Sequence, residues 1–278
     1  MNKKRNFSPT LWGSLLCMLL SLANATPLHS QTNVPGKQLA GSKTFAQPEQ
    51  LRYSVYFTWG FIKGKAGEAV ILTREMKQRD QWFQQLKFRT TGIFESVFPM
   101  RDTLETLYGA SQQPMRWEKR VSEGGDYLVD EITYTPLPNK WAIHSRRYNS
   151  TSTSIDTTFM VNNNKPVVDL LSTITLVRNL NLSLLKPGYQ LPFTVVLGKS
   201  QVPCILVYSG IDILTLPNKS DVECIRMDLN IHDEAFHNHS KSAQVWISNN
   251  EQALPVRIRA KLKIGYAECN LVEHLPLR

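Results

Sequence analysis

Between Pro255 and Ile264 apolar and polar residues alternate without a break. Val256, Ile258, Ala260, Leu262 and Ile264 interleave with Arg257, Arg259, Lys261 and Lys263. Strand side chains point alternately to opposite faces, so the segment predicts a β-strand with one face on a core and a column of cations on the other. Ala243–Ser248 before it and Tyr266–Glu273 after it are also strand-like, and Asn249-Asn250-Glu251-Gln252 reads as a turn. The same alternation opens the chain's apolar part: Tyr53, Val55, Phe57 and Trp59 against Arg52, Ser54, Tyr56 and Thr58. Strand signals then recur over 66–73, 82–90, 101–108, 115–121, 127–134 and 141–148, separated by clusters of Gly, Pro, Asn and Gln. Short connections of this kind predict a meander of sequential antiparallel strands.

One segment has a different period. Val167, Leu170, Leu171, Ile174, Val177 and Leu180 fall at three- and four-residue steps behind Asp169, a good helix cap, so a helix is expected near 169–180. Further strands follow over 189–197, 204–214 and 222–231. The fold class is therefore mainly β: a large antiparallel barrel, half-barrel or clam of about fourteen strands, with one helix placed to cover its open face. A parallel sheet would be apolar on both faces and would not alternate.

The N-terminus bears on the compartment. Lys3, Lys4 and Arg5 precede an apolar run from Leu11 to Leu22, and Ala23-Asn24-Ala25 has the small-x-small form of a cleavage site. Residues 1–25 are expected to be a signal peptide, 26–48 a flexible leader rich in Gln, Ser, Thr and Pro, and 49–278 a single β domain. That makes the protein exported, periplasmic or associated with the cell envelope. Short turns at both ends, charges on the non-core face and a Leu275-Pro-Leu-Arg278 terminus argue against an outer-membrane barrel, so no integral membrane protein is expected. Loss of Lys3, Lys4 and Arg5 lowers the formal net charge from +9 to +6. That excess suits an anionic envelope polymer and is too small to argue for nucleic acid.

Candidate chemistry is sparse. Cys204, Cys224 and Cys269 remain after cleavage, an odd number placed so that no structural disulfide is expected. The octet from His232 to His239 carries zinc-type ligands, but its His spacing is five and Asp follows the first His, so the metalloprotease pattern fails and no metal site or cofactor is assigned. Asp102 and Arg178 each lie beside apolar sequence, and a buried pair between them would hold the helix against the sheet. Tyr53, Trp59 and Trp246, with Trp82, Phe88, Trp117 and Trp141, are candidates for lining a ligand cavity.

Several short motifs point to a family. They are Tyr53-Ser-Val-Tyr-Phe-Thr-Trp-Gly60 with Lys65-Ala-Gly-Glu68, Met100-Arg-Asp102, Asp169-Leu-Leu-Ser172 leading to Arg178, and Trp246-Ile-Ser248 with Pro255-Val256. In this order and spacing the sequence resembles the domain-of-unknown-function 3108 family of exported bacterial proteins. The resemblance implies an envelope location and an antiparallel β architecture, similar in outline to exported clam-shaped carriers of lipid-like ligands, and no established activity. Such proteins often carry an Asp-rich turn where this chain has Asn249-Asn250-Glu251. Binding of a lipid-like or other apolar ligand, or of an envelope partner, through Tyr53, Trp59, Asp102, Arg178 and Trp246 is the leading expectation. A glycan or peptide hydrolase with dispersed carboxylates, and an assembly protein, are the alternatives.

Overall fold

The computed structural model describes residues 43–59, 62–77, 80–123, 126–217, 219–231, 243–261 and 265–277. The expected signal peptide, most of the expected leader and the His232–His239 octet lie outside the described residues. The strands are β1 (Glu49–Trp59), β2 (Ile62–Glu75), β3 (Trp82–Thr90), β4 (Met100–Tyr108), β5 (Pro114–Glu123), β6 (Asp126–Leu137), β7 (Lys140–Tyr148) and β8 (Thr153–Asn162). After them come β9 (Val167–Val168), β10 (Gln190–Leu197), β11 (Ser200–Thr215), β12 (Asp221–Ile231), β13 (Ala243–Ser248), β14 (Pro255–Lys261) and β15 (Tyr266–Pro276). The helices are α1 (Gly92–Val97) and α2 (Leu170–Arg178), with a single 3-10 turn at Leu182–Leu184.

All strands join one 15-stranded sheet in the order β8 to β1, then β15 down to β9. The chain's last strand thus pairs with its first, antiparallel, at the middle of the sheet. Every link is antiparallel except the two-residue parallel pairing of β9 with β10. The two ends of the sheet approach each other: Gln201 Nε2 donates to Met160 O on β8 at 3.1 Å. Gly198, at the first position of the β10–β11 turn with φ +55°, lies against Arg147 and Ile155. The result is a nearly closed barrel of mainly antiparallel strands.

The interior is occupied by side chains. One apolar cluster joins Leu51, Tyr53, Ile71, Leu104, Trp117, Ile132 and Ile143 on the first strands to Leu171 of α2 and Val196 of β10. A second joins Leu176, Val177 and Leu180 to Phe193, Val202, Ile225 and Met227. Leu170 and Leu197 pack against both, so the helix is the seam between the halves of the barrel.

The elements that sequence patterning did not anticipate have physical reasons. Strand β8 reads Thr-Ser-Ile-Asp-Thr-Thr-Phe-Met-Val-Asn, and as an edge strand it buries only Val161, so its alternation is faint. Helix α1 buries no residue at all, and Ile93 and Val97 stand exposed, so it has no core stripe to detect. Val167 and Val168 belong to β9, because Asp169 starts the helix one residue later. The packed domain also begins before Glu49. Thr44 N donates to Asn179 Oδ1 at 3.1 Å, and Phe45 stacks on Trp82 at 5.3 Å and against Tyr108 at 4.8 Å. Thr44 and Phe45, which fall within the expected leader, thus pack on the domain. Cys204, Cys224 and Cys269 are buried and free.

Candidate functional site

Helix α2 is fixed by a buried polar stripe at three-residue steps: Asp169, Ser172, Thr175 and Arg178. The Asp169 carboxylate caps the helix, accepting Ser172 N at 2.8 Å, Ser172 Oγ at 2.6 Å and Thr106 Oγ1 at 3.1 Å. Burial pushes its carboxyl up to about 6, against the lowering effect of the Ser172 and Thr106 bonds. One turn on, Thr175 Oγ1 and Tyr108 OH both donate to Gln84 Oε1 at 3.1 Å, while Gln84 Nε2 donates to Thr73 Oγ1 at 3.3 Å. At the C-terminal end Arg178, only 1 % exposed, is ion-paired with Glu49 on β1. Its Nε also donates to Ala253 O at 3.2 Å and its Nη2 to Gln252 O at 3.3 Å, both in the β13–β14 turn. His274 reaches the same Glu49 at 3.0 Å. The helix is thereby stapled into the barrel mouth rather than laid across it.

Beside the helix opens a cleft of about 540 Å³. Its floor comes from Tyr108, Ser172 and Thr175, one wall from Trp141 on β7, and its rim from Gln112 in the β4–β5 turn and Asn163 after β8. Rim residues Gln112, Gln113, Asn163 and Asn164 make no side-chain hydrogen bond to other described residues, and Lys165 makes no ion pair among them. Trp141 stands edge-on to Tyr134, ring centroids 6.3 Å apart, which holds the indole in place on the wall.

The candidates from the sequence are dispersed. Tyr53 faces the interior and donates its hydroxyl to Pro255 O at 2.9 Å, with burial pushing the phenol pKa up. Trp246 lies on the opposite face of the sheet, cross-strand from Arg226 and Arg257. Its indole N–H donates to Asp212 Oδ2 at 2.7 Å, and the Arg257 and Arg259 guanidiniums sit 5.8 and 5.6 Å from its ring centroid. Asp102 is buried on β4, roughly 13 Å along the strand from Thr106, where the helix begins. Arg178 is paired with Glu49 rather than with Asp102, because the helix C-terminus meets the start of β1 and not the start of β4. The backbone of Trp59 ends β1, and its side chain lies outside the described residues. Tyr53 and Arg178 both bond the 252–255 segment, whereas Asp102 and Trp246 lie elsewhere, so the four do not form one site.

The cationic column is also resolved. Arg259 bonds Glu268 at 2.6 Å, Arg257 Nε lies 4.0 Å and Lys63 3.7 Å from the same carboxylate, and Arg257 Nε donates to Asn270 Oδ1 at 2.8 Å. Burial pushes the Glu268 carboxyl up, but its bonds from Asn270 and Arg259 and the nearby guanidiniums outweigh that and hold it below the ordinary range.

The profile of a family described as "Protein of unknown function (DUF3108)" matches residues 52–272, most of the chain. The chain belongs to the DUF3108 family. No curated protein matches it. Among solved structures, this DUF3108 barrel is similar to a β-barrel-like protein of domain of unknown function DUF1849 from Brucella abortus, with a TM-score of 0.61 and 8% identity. The match covers 83% of this chain and 98% of that one, and at such low identity it shows a shared fold alone. The cleft residues of the DUF3108 chain that sequence reasoning passed over are Tyr108, Gln112, Asn163, Lys165, Ser172 and Thr175. A signal existed for two of them: Ser172 and Thr175 continue the three-residue spacing from Asp169 to Arg178 on a helix whose other positions are mostly apolar.

Proposed function

We propose that this DUF3108 protein is an exported, non-enzymatic envelope protein that binds a small amphipathic ligand in the cleft at its helix-plugged mouth. The observation that carries the reading is the open volume beside α2. A ligand inside the barrel would have to displace Trp117, Ile132 and Leu171, which are fully buried against one another, whereas about 540 Å³ is open beside α2. That volume is within the usual range of small-molecule sites, roughly 300–1,000 Å³. The lining mixes an aromatic wall with amide and hydroxyl groups, which suits a ligand with both apolar and polar parts.

The test is native mass spectrometry of the chain purified gently from its own envelope. The expected result is a mature mass beginning at Thr26 with a small-molecule adduct. Asn163→Trp, which fills the exposed rim, is expected to lose the adduct with its melting temperature unchanged. A wild-type protein without adduct, or an N163W protein carrying as much as wild type, overturns the reading.

A further inference from the structure

We infer that the ligand of this cleft is a short saccharide bearing one acidic group. The inference rests on the cleft being a binding site and adds the chemical class of what it takes. Four amide side chains line the cleft, Gln112 and Gln113 from the β4–β5 turn and Asn163 and Asn164 from the segment after β8. Each offers two N–H donors and a carbonyl acceptor. Neighbouring hydroxyls of a pyranose ring each both donate and accept, so an amide can meet a vicinal pair with both of its ends. An acyl chain offers the rim nothing to bond.

The wall and floor point the same way. Trp141 presents a ring held by Tyr134, a surface against which the C–H face of a sugar packs while its hydroxyls remain at the edge. The floor hydroxyls of Ser172, Thr175 and Tyr108 are held in place by Asp169 and Gln84, so the polar floor is preformed. Charge supplies the last element. Lys165 is the one charged residue among the described lining residues, while the Asp169 carboxylate lies behind the floor, bonded to Ser172. A ligand with a single carboxylate, set at one edge of a largely uncharged ring system, complements that arrangement.

The test uses the full mature protein labelled with 15N at tryptophan indoles, with Trp141→Phe identifying the Trp141 resonance. Three probes are titrated: the neutral disaccharide of N-acetylglucosamine, the disaccharide of N-acetylglucosamine with N-acetylmuramic acid, and decanoate. The Trp141 signal is expected to shift and saturate with both sugars, with the acidic one binding roughly tenfold tighter, the factor that one charge-assisted bond supplies. Lys165→Ala should bring the two sugars to equal affinity while both still shift Trp141. Equal affinities in the wild type overturn the acidic assignment. Saturation with decanoate and not with either sugar overturns the saccharide class while leaving the cleft as a binding site. No shift with any probe also overturns the saccharide class, and the cleft reading is then decided by the adduct measurement alone.

Discussion

Asp169 shows how much one residue carries here. It caps α2, anchors Thr106 and sits fully buried, and burial lifts its carboxyl from 3.8 to about 6. A raised carboxyl pKa in the folded state means that the fold binds more protons than the unfolded chain between these two values. On this group's account stability therefore rises as pH falls from about 7 towards 4, by roughly 3 kcal/mol over the whole interval. Half-buried Glu68 and Glu95 act oppositely. The bonds from Lys65 and Arg89, and from Arg101 and Thr90, hold their carboxyls near 2, so their contribution is present above about 4.5 and is lost below it. Melting temperature is expected to be higher near pH 5 than at pH 7 in the wild type, with the slope flattened in Asp169→Asn. Parallel profiles for the two proteins would refute this. Gly67, in the Lys65-Ala-Gly-Glu68 motif, shows a different dependence: a Cβ there would lie 2.2 Å from Arg89 O, because the strand beside the β1–β2 bulge approaches its neighbour too closely for a side chain.

At the scale of elements, α2 matters most. Its nine residues are too few to form a stable helix alone, so the packing of Leu171, Leu176 and Val177 and the buried polar stripe must hold it. Arg178 is the strongest single tie, joining the helix to Glu49 on β1 and to the β13–β14 turn. Removing one member of a buried pair leaves the other charge uncompensated, which costs about 3–5 kcal/mol. Arg178→Ala is expected to lower the thermal midpoint by many degrees, whereas Lys186→Ala, on the exposed segment after the helix, should leave it within a degree or two. Equal shifts in the two melts would show that the staple contributes nothing. The helix itself was legible from its apolar spacing and its cap. Its partner Glu49 was not, because 129 residues separate the two and no local pattern marks a long-range pair.

At the scale of the molecule, a single sheet runs unbroken through all fifteen strands, and the helix is the seam where the two apolar clusters meet. The β1–β15 pairing joins the beginning and end of the domain through ten residue pairs. One cooperative unfolding transition is therefore expected, with calorimetric and van't Hoff enthalpies in agreement, even though the strands divide into a set before α2 and a set after it. Two resolved transitions would mean that the halves fold independently and that the seam is weak. The same architecture places the cleft: the β4–β5 turn and the segment after β8, distant in sequence, meet beside α2 only because the sheet curls and the helix is drawn in.

Alternation along the strands, turn composition and one helical period were enough to establish a large antiparallel sheet, as a barrel, half-barrel or clam, with a helix, because those signals are local and repeat many times; only the structure closed it into a barrel. Strand alternation also separated the face of Arg257 and Arg259 from the face of Ile258, a distinction that depends only on the period of two. Tertiary structure alone decided that Trp246 belongs with those arginines and not with Tyr53, since a bulge and a register across three strands place it there. It also decided that Arg178 takes Glu49, that Phe45 is part of the domain, and that the inward-facing described residues pack into two apolar clusters. Local patterning states which face is apolar. Whether the space enclosed by that face is packed or open depends on how strands far apart in the chain close around it, and here they close on α2 and leave the opening beside it.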